Sequence, residues 1–207
     1  MPERLVQGYQ RFRDGYFIEN KEKLAALAME QKPRIALLSC CDSRVDPTTV
    51  FDAAPGDLFV IRNVANLAPP YEQEGVFHGT SAALEFAVTG LEVSHIVVLG
   101  HANCGGIRAL MDKSPSDDKT SFIDRWMTIA APVREHICAS GEMPDEERYA
   151  TCERQAIAHS LRNLMTYPWV KTRVNAGTLS LHGWHYDLAE GTLSSLDPET
   201  KSFLPLR

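Results

Sequence analysis

Two short motifs in this chain carry soft metal ligands: Cys40-Cys41-Asp42-Ser43-Arg44 and, about sixty residues later, His101-Ala102-Asn103-Cys104. Two thiolates and an imidazole are a donor set that suits Zn²⁺. Cys40, His101 and Cys104 supply only three ligands, which leaves a fourth position for water or for Asp42. A catalytic zinc site differs from a closed structural one in that way. Asp42 and Arg44 stand two apart, so an extended segment would put them on one face. The planar fork of Arg44 can hold the Asp42 carboxylate away from the metal. Released, Asp42 can ligate the metal itself and shut the site.

The elements that must position these residues are legible around them. Each motif follows an apolar run, Ile35-Ala36-Leu37-Leu38 in one case and Ile96-Val97-Val98-Leu99 in the other, the pattern of buried parallel strands. Both motifs would then emerge at the carboxyl edge of one sheet, where open α/β sheets place their ligand sites. Pro55-Gly56-Asp57 signals a turn, followed by a strand over Leu58–Ile61 that runs into Arg62-Asn63-Val64-Ala65-Asn66. The spacing of Ala83, Leu84, Ala87, Val88 and Leu91 predicts a helix over Thr80–Leu91. Gly105-Gly106 opens a short helix to Met111, Lys113–Thr120 reads as a polar loop, and Ser121–Ala139 and Glu146–Met165 read as helices. Leu179-Ser180-Leu181 is a fourth short strand, and Gly191-Thr192-Leu193 introduces a fifth. The expected fold is α/β: a mainly parallel central sheet of four strands plus a fifth edge strand, flanked by helices. Residues 1–30 form an N-terminal helical arm of two helices parted near Gly15, and 31–207 form the zinc-binding catalytic domain. Tyr9, Phe12, Tyr16 and Phe17 make the arm rich in apolar surface, which suits packing on a partner subunit or on the chain's own core.

Bulk properties exclude several classes. The 207 residues suit one domain, and 21 basic against 27 acidic residues, a net charge of −6, argue against a nucleic-acid surface. No apolar run approaches the ~20 residues of a membrane span, and the opening stretch has no signal-peptide core. The expected address is cytoplasmic. Five cysteines, an odd number, argue against a disulfide framework. Cys138 and Cys152 fall in helical segments and are expected to be packing residues. Cys41, turned away from Cys40 by strand alternation, is expected to be buried filler.

The joint pattern Cys40-x-Asp42-Ser43-Arg44 with His101-x-x-Cys104, set within Gly56–Asn66 and Gly100–Ile107, resembles the β-class carbonic anhydrases over about Gln31 to Tyr186. The resemblance implies reversible hydration of carbon dioxide to bicarbonate by a zinc-bound hydroxide, with Cys40, His101 and Cys104 on the metal and Asp42 and Arg44 as the catalytic dyad. It also implies an intertwined homodimer, with tetramers or larger assemblies built from dimers. Thiolate ligands donate more charge than histidines, so activity should favour alkaline pH. Proton transfer would use buffer or exposed histidines; His78, His159, His182 and His185 are available, none marked by its spacing.

Within the family, a plant-like substrate pocket is implied by Gln31, nine residues before Cys40, and by Phe59 and Val64. Phe86 stands where plant enzymes tend to have Tyr, and Gly105 lies beside Cys104. A second family pattern has a regulatory bicarbonate pocket of Trp, Arg and Tyr. Arg62 and Tyr186 match it, but Leu37 stands in place of the Trp, which predicts an open site at neutral pH. Two rival readings share the ligands: a hydrolase of carbonyl sulfide or carbon disulfide on the same scaffold, and a non-catalytic zinc-binding interaction module.

Overall fold

In the computed structural model, which describes residues 2–74, 78–112 and 121–206, the two ligand-bearing runs become adjacent strands. β1 (Ile35–Cys40) and β3 (His95–His101) pair in parallel, with Ile35 opposite His95 and Ser39 opposite Leu99. β2 (Leu58–Asn63) and β4 (Ser180–Asp187) extend the parallel set on either side. The order is β2-β1-β3-β4-β5-β6, with β5 (Thr192–Leu196) and β6 (Phe203–Pro205) antiparallel. The four expected parallel strands and the fifth are present. The fifth is not the edge, because β6 covers it. A three-residue strand ending at Pro205 leaves almost no periodicity to read, and proline is tolerated there because the strand is an edge.

Alternation along β1 sends Ala36 and Leu38 to one face and Leu37 to the other. The first face packs on α5 (Gly79–Glu85), the π-helical turn Phe86–Gly90, α9 (Asp145–Leu164) and α10 (Pro168–Asn175), through Leu84, Val88, Ile157, Leu164 and Val170. On the second, Leu37, Val97 and Leu99 gather Val45, Phe51, Trp184 and Tyr186. Helix α9 lies very close to the sheet. A Cβ added to Gly100 would meet Ile157 Cδ1 at 2.6 Å, and one added to Gly183 would meet Ile157 Cγ2 at 2.8 Å. Those two glycines on β3 and β4 let the helix settle against bare backbone.

The arm comprises α1 (Glu3–Asp14), α2 (Tyr16–Glu19) and α3 (Lys21–Met29), with Gly15 at the expected break and a second break at Asn20. No residue of these helices is buried, and Leu5, Tyr9, Phe12 and Ile18 stay exposed. Two helices were not marked by periodicity: α4 (Pro47–Val50) and α10. Both are short and have proline in their first turn. Asp46 caps α4 by accepting the Thr49 N–H at 2.9 Å. The helix expected over Ser121–Ala139 is divided into α7 (Phe122–Met127), a 3₁₀ turn over Thr128–Ala130, and α8 (Ala131–Ala139), where Pro132 opens the new helix. The polar loop read at Lys113–Thr120 lies outside the described residues.

Candidate metal centre

Parallel pairing of β1 and β3 brings their last residues, Cys40 and His101, to the same edge of the sheet. Beyond His101 the chain turns sharply: Asn103 has φ of 59°, a left-handed conformation that asparagine tolerates better than most residues. The turn folds Cys104 back toward Cys40 at the start of α6 (Gly105–Asp112). The sulfurs of Cys40 and Cys104 lie 4.0 Å apart. One ligand atom from each of Cys40, His101 and Cys104 falls within 4.8 Å of the others, and all three residues are buried.

This cluster suits a metal ion. A tetrahedral centre with Zn–S bonds of about 2.3 Å would set two sulfurs about 3.8 Å apart. His101 Nδ1 bonds the Ala102 carbonyl at 2.9 Å, while its buried Nε2 has no hydrogen-bond partner. A buried polar atom without a partner calls for explanation, and a metal is one of the few that fit beside two thiols. The hydrogen bond from Cys104, helped by His101 and the Asp42 and Ala65 amides, lowers the Cys40 pKa against the opposing effect of burial. Cys104 is pushed up, by that same bond and by burial. Burial disfavours a charged His101, but its contact with Cys40 and the Ala102 carbonyl raise its pKa on balance.

Asp42 and Arg44 meet, though not on an extended segment. Asp42 accepts the Arg44 backbone N–H at 3.0 Å in an Asx turn, and Arg44 returns with Nε at 3.0 Å and Nη2 at 2.7 Å on the two carboxylate oxygens. This grip holds the Asp42 pKa well below the usual carboxylate range. Arg44 Nη2 also donates to the Asn103 carbonyl at 3.0 Å, tying one motif to the other. Asp42 Oδ2 lies 3.9 Å from His101 Nε2, so the carboxylate borders the ligand cluster.

Residues outside the motifs brace this centre. Arg62 donates to the carbonyls of Cys40, Asp42 and Val45 at 2.9, 2.8 and 2.6 Å. Trp126 Nε1 holds the Val64 carbonyl at 2.8 Å. From α9, Ser160 accepts the Ala68 N–H at 3.1 Å and Asn163 donates to the Ala68 carbonyl at 2.8 Å. One end of that helix face carries Glu153, which accepts the Cys104 N–H at 3.1 Å. Motif reading missed these braces. The signal available was a row of polar residues, Glu153, Ser160 and Asn163, in phase with the apolar Ile157 and Leu164.

The remaining site candidates divide. Val64 packs beside Cys40 and Cys104, and Gly105 follows Cys104 directly with open space around its Cα. Phe59 packs on the core cluster beneath α5 and α9, and the exposed ring of Phe86 lies tilted against it with centroids 5.9 Å apart. Gln31 is exposed ahead of the first residue of β1. That is a full strand length, roughly 17 Å, from the edge that holds Cys40, so one chain alone does not bring Gln31 to its own cluster. Leu37 is 1% exposed and packed in apolar surroundings, and Arg62 directs its Nε and Nη2 to the three carbonyls. Three expectations are corrected. Cys41 and Cys138 are exposed rather than packed, because Cys41 lies beyond the strand end, where alternation no longer governs, and Cys138 lies on the outer side of α8. His185, counted as an exposed proton carrier, is 4% exposed, because β4 is covered by α9 at that point. Cys152 is buried as expected, and burial raises its pKa to about 12.

Among the described residues no helix is long and apolar enough to cross a membrane. The family model described as carbonic anhydrase matches residues 35–193. A chloroplastic protein of Arabidopsis thaliana, beta carbonic anhydrase 5, is 39% identical over 91% of this chain, which spans 62% of that relative's own length. Among solved structures, the β-carbonic anhydrase CcaA superposes with a TM-score of 0.93 at 34% identity, covering 99% of this chain and 92% of that one. One of two tetrameric β-carbonic anhydrases from Sordaria macrospora gives 0.80 at 27% identity, covering 94% and 95%. With a Cys-His-Cys cluster at the carboxyl edge of a parallel sheet and this extent of likeness, the chain belongs to the β-class carbonic anhydrase family.

Proposed function

We propose that this protein binds zinc through Cys40, His101 and Cys104 and catalyses the reversible hydration of carbon dioxide to bicarbonate and a proton. The observation that carries the reading is the convergence of three buried soft ligands beside a carboxylate already held by an arginine. Zinc would supply a Lewis acid that brings the pKa of a bound water toward neutrality, a property best known from the three-histidine carbonic anhydrases. Asp42, fixed by Arg44, accepts a hydrogen bond from the water that attacks carbon dioxide and so aims its lone pair at the carbon. Val64 offers an apolar wall next to the ligands. Because Asp42 is engaged by Arg44 on both oxygens, and Leu37 removes the indole that a bicarbonate pocket would use, the site works in its open form at neutral pH.

The pocket is completed across a subunit interface. Gln31, Phe59 and Phe86 lie away from the cluster of their own chain, and the uncovered apolar arm, Leu5 to Ile18, provides the surface for a homodimer. Larger assemblies would be built from such dimers, in line with the tetramers named for the Sordaria relatives. Free cysteines suit a reducing compartment, and the cytoplasm is the proposed place of action.

Side-by-side turnover of carbon dioxide and carbonyl sulfide by the purified dimer tests the substrate. Carbon dioxide should be preferred by orders of magnitude. Preferential hydrolysis of carbonyl sulfide would instead assign the rival activity, and turnover of neither would leave a zinc-binding module.

A further inference from the structure

Glu153 takes no part in the chemistry above, yet it is 4% exposed and sits directly behind a ligand. Burying a carboxyl group is costly unless both its oxygens find partners. Here Oε1 accepts the Cys104 N–H at 3.1 Å, and Oε2 lies 3.2 Å from His185 Nε2. His185 is itself 4% exposed, and its ring meets Phe203 edge-on at 6.3 Å between centroids. The next residue, Tyr186, accepts the Ala102 N–H at 2.9 Å through its carbonyl. The turn that carries Cys104 is therefore held from two neighbouring points, one on α9 and one on β4.

The position of Glu153 depends on the glycine-lined approach of α9. Ile157, one helical turn further along, rests against Gly100 and Gly183 at distances that no larger residue would permit. This places Glu153 level with the end of β3. The Cys104 amide has no strand partner and precedes the first turn of α6, where unpaired N–H groups are expected. It also belongs to the peptide that follows the left-handed Asn103. Fixing that peptide plane fixes the direction in which the Cys104 Cβ and sulfur leave the backbone.

We infer that Glu153 is a positioning residue for the metal: through its length, and backed by His185, it aims Cys104 Sγ at the point shared with Cys40 and His101. The inference rests on the metal-binding reading above. It makes reach the decisive property rather than charge. Glu153→Gln keeps the length and an acceptor oxygen for the Cys104 N–H. Glu153→Asp keeps the carboxyl group but withdraws it by one methylene.

The experiment is zinc affinity by chelator competition on the purified protein, with the absorption spectrum of the cobalt(II)-substituted form as a second readout. Glu153→Gln should bind zinc within about threefold of wild type and keep the thiolate-to-cobalt band. Glu153→Asp should bind at least about tenfold more weakly, the usual scale for outer partners of metal ligands, with that band shifted or weakened. A folded Glu153→Asp protein with wild-type affinity and spectrum overturns the inference, as does a Glu153→Gln protein as weak as the Asp variant. Should Glu153→Asp fail to fold, amide exchange in the wild-type metal-loaded protein decides: the Cys104 amide should be strongly protected, and rapid exchange there overturns the inference. A wild-type protein that binds neither metal overturns the metal-binding reading instead, which keeps the two failures apart.

Discussion

Arg44 grips both carboxylate oxygens of Asp42 and, with the same Nη2 atom, the carbonyl of Asn103 from the opposite motif. The dyad is thus a latch between the two ligand-bearing turns as well as a pair. Asp42→Asn should retain zinc but lower the rate of carbon dioxide hydration by roughly 100-fold, the lower end of what positioned proton-handling groups contribute. Arg44→Ala should lower it by at least tenfold and free Asp42 to approach the metal. Stopped-flow rates with zinc content measured in parallel check both, and wild-type rates in either variant would contradict the assigned roles.

Thiol chemistry should sort the five cysteines by place. In metal-loaded protein, an alkylating reagent should modify the exposed Cys138 and Cys41, with Cys41 slowed because burial of its thiol and the neighbouring Cys40 raise its pKa. Cys152, buried and raised to about 12, should stay unmodified. Chelation should release the Cys40 and Cys104 thiols from the metal, and, being buried, they should react more slowly than Cys138. Peptide mapping by mass spectrometry reads this pattern, and modification of Cys40 with the metal still bound would contradict the ligand assignment.

Close packing of α9 gives a stability prediction. Gly100→Ala places a methyl group 2.6 Å from Ile157 Cδ1 and should cost roughly 1–3 kcal/mol, the usual range for overpacking. Ile157→Val removes that atom, so the double variant should lose less than the sum of the two single losses. Denaturant unfolding of the four proteins checks the coupling. Strict additivity would mean that the helix moves away as a unit.

Two histidines predict the acid side of the stability profile. Burial, then Arg162, lowers the His159 pKa, and burial, then His95 at 3.2 Å, lowers that of His182. Below about pH 6.5 the unfolded chain binds protons that the folded one refuses, so stability falls with falling pH until the folded values are reached. Above that pH these groups contribute no slope. Replacing His182 by Gln should therefore flatten the loss of stability below about pH 6.5. An unchanged slope in equilibrium unfolding would contradict the shift.

The sequence made the ligands and their elements legible because each lies at the end of an uninterrupted buried run. Ile35–Leu38 and Ile96–Leu99 leave little choice but parallel strands, and the residues after them must share an edge. Arg62 was legible as a strand-end residue, but its grip on three carbonyls was not, since backbone acceptors leave no trace in side-chain pattern. Glu153 was hidden for a related reason: an acid on a long helix reads as solvated, and only the packing against Gly100 and Gly183 reveals it as buried. Cys41 shows the limit of alternation, which holds along β1 and fails one residue past its end. Short elements such as α4 and β6 have too few residues for any period to register.

The most direct test of the central claim is stopped-flow hydration of carbon dioxide by one protein preparation in three states: as purified, stripped by chelator, and reloaded with zinc. The account predicts about one zinc per chain as purified, strong acceleration over buffer, loss of both on stripping, and recovery of both on reloading. Protein carrying a full complement of zinc on Cys40, His101 and Cys104 that hydrates carbon dioxide no faster than buffer would contradict it.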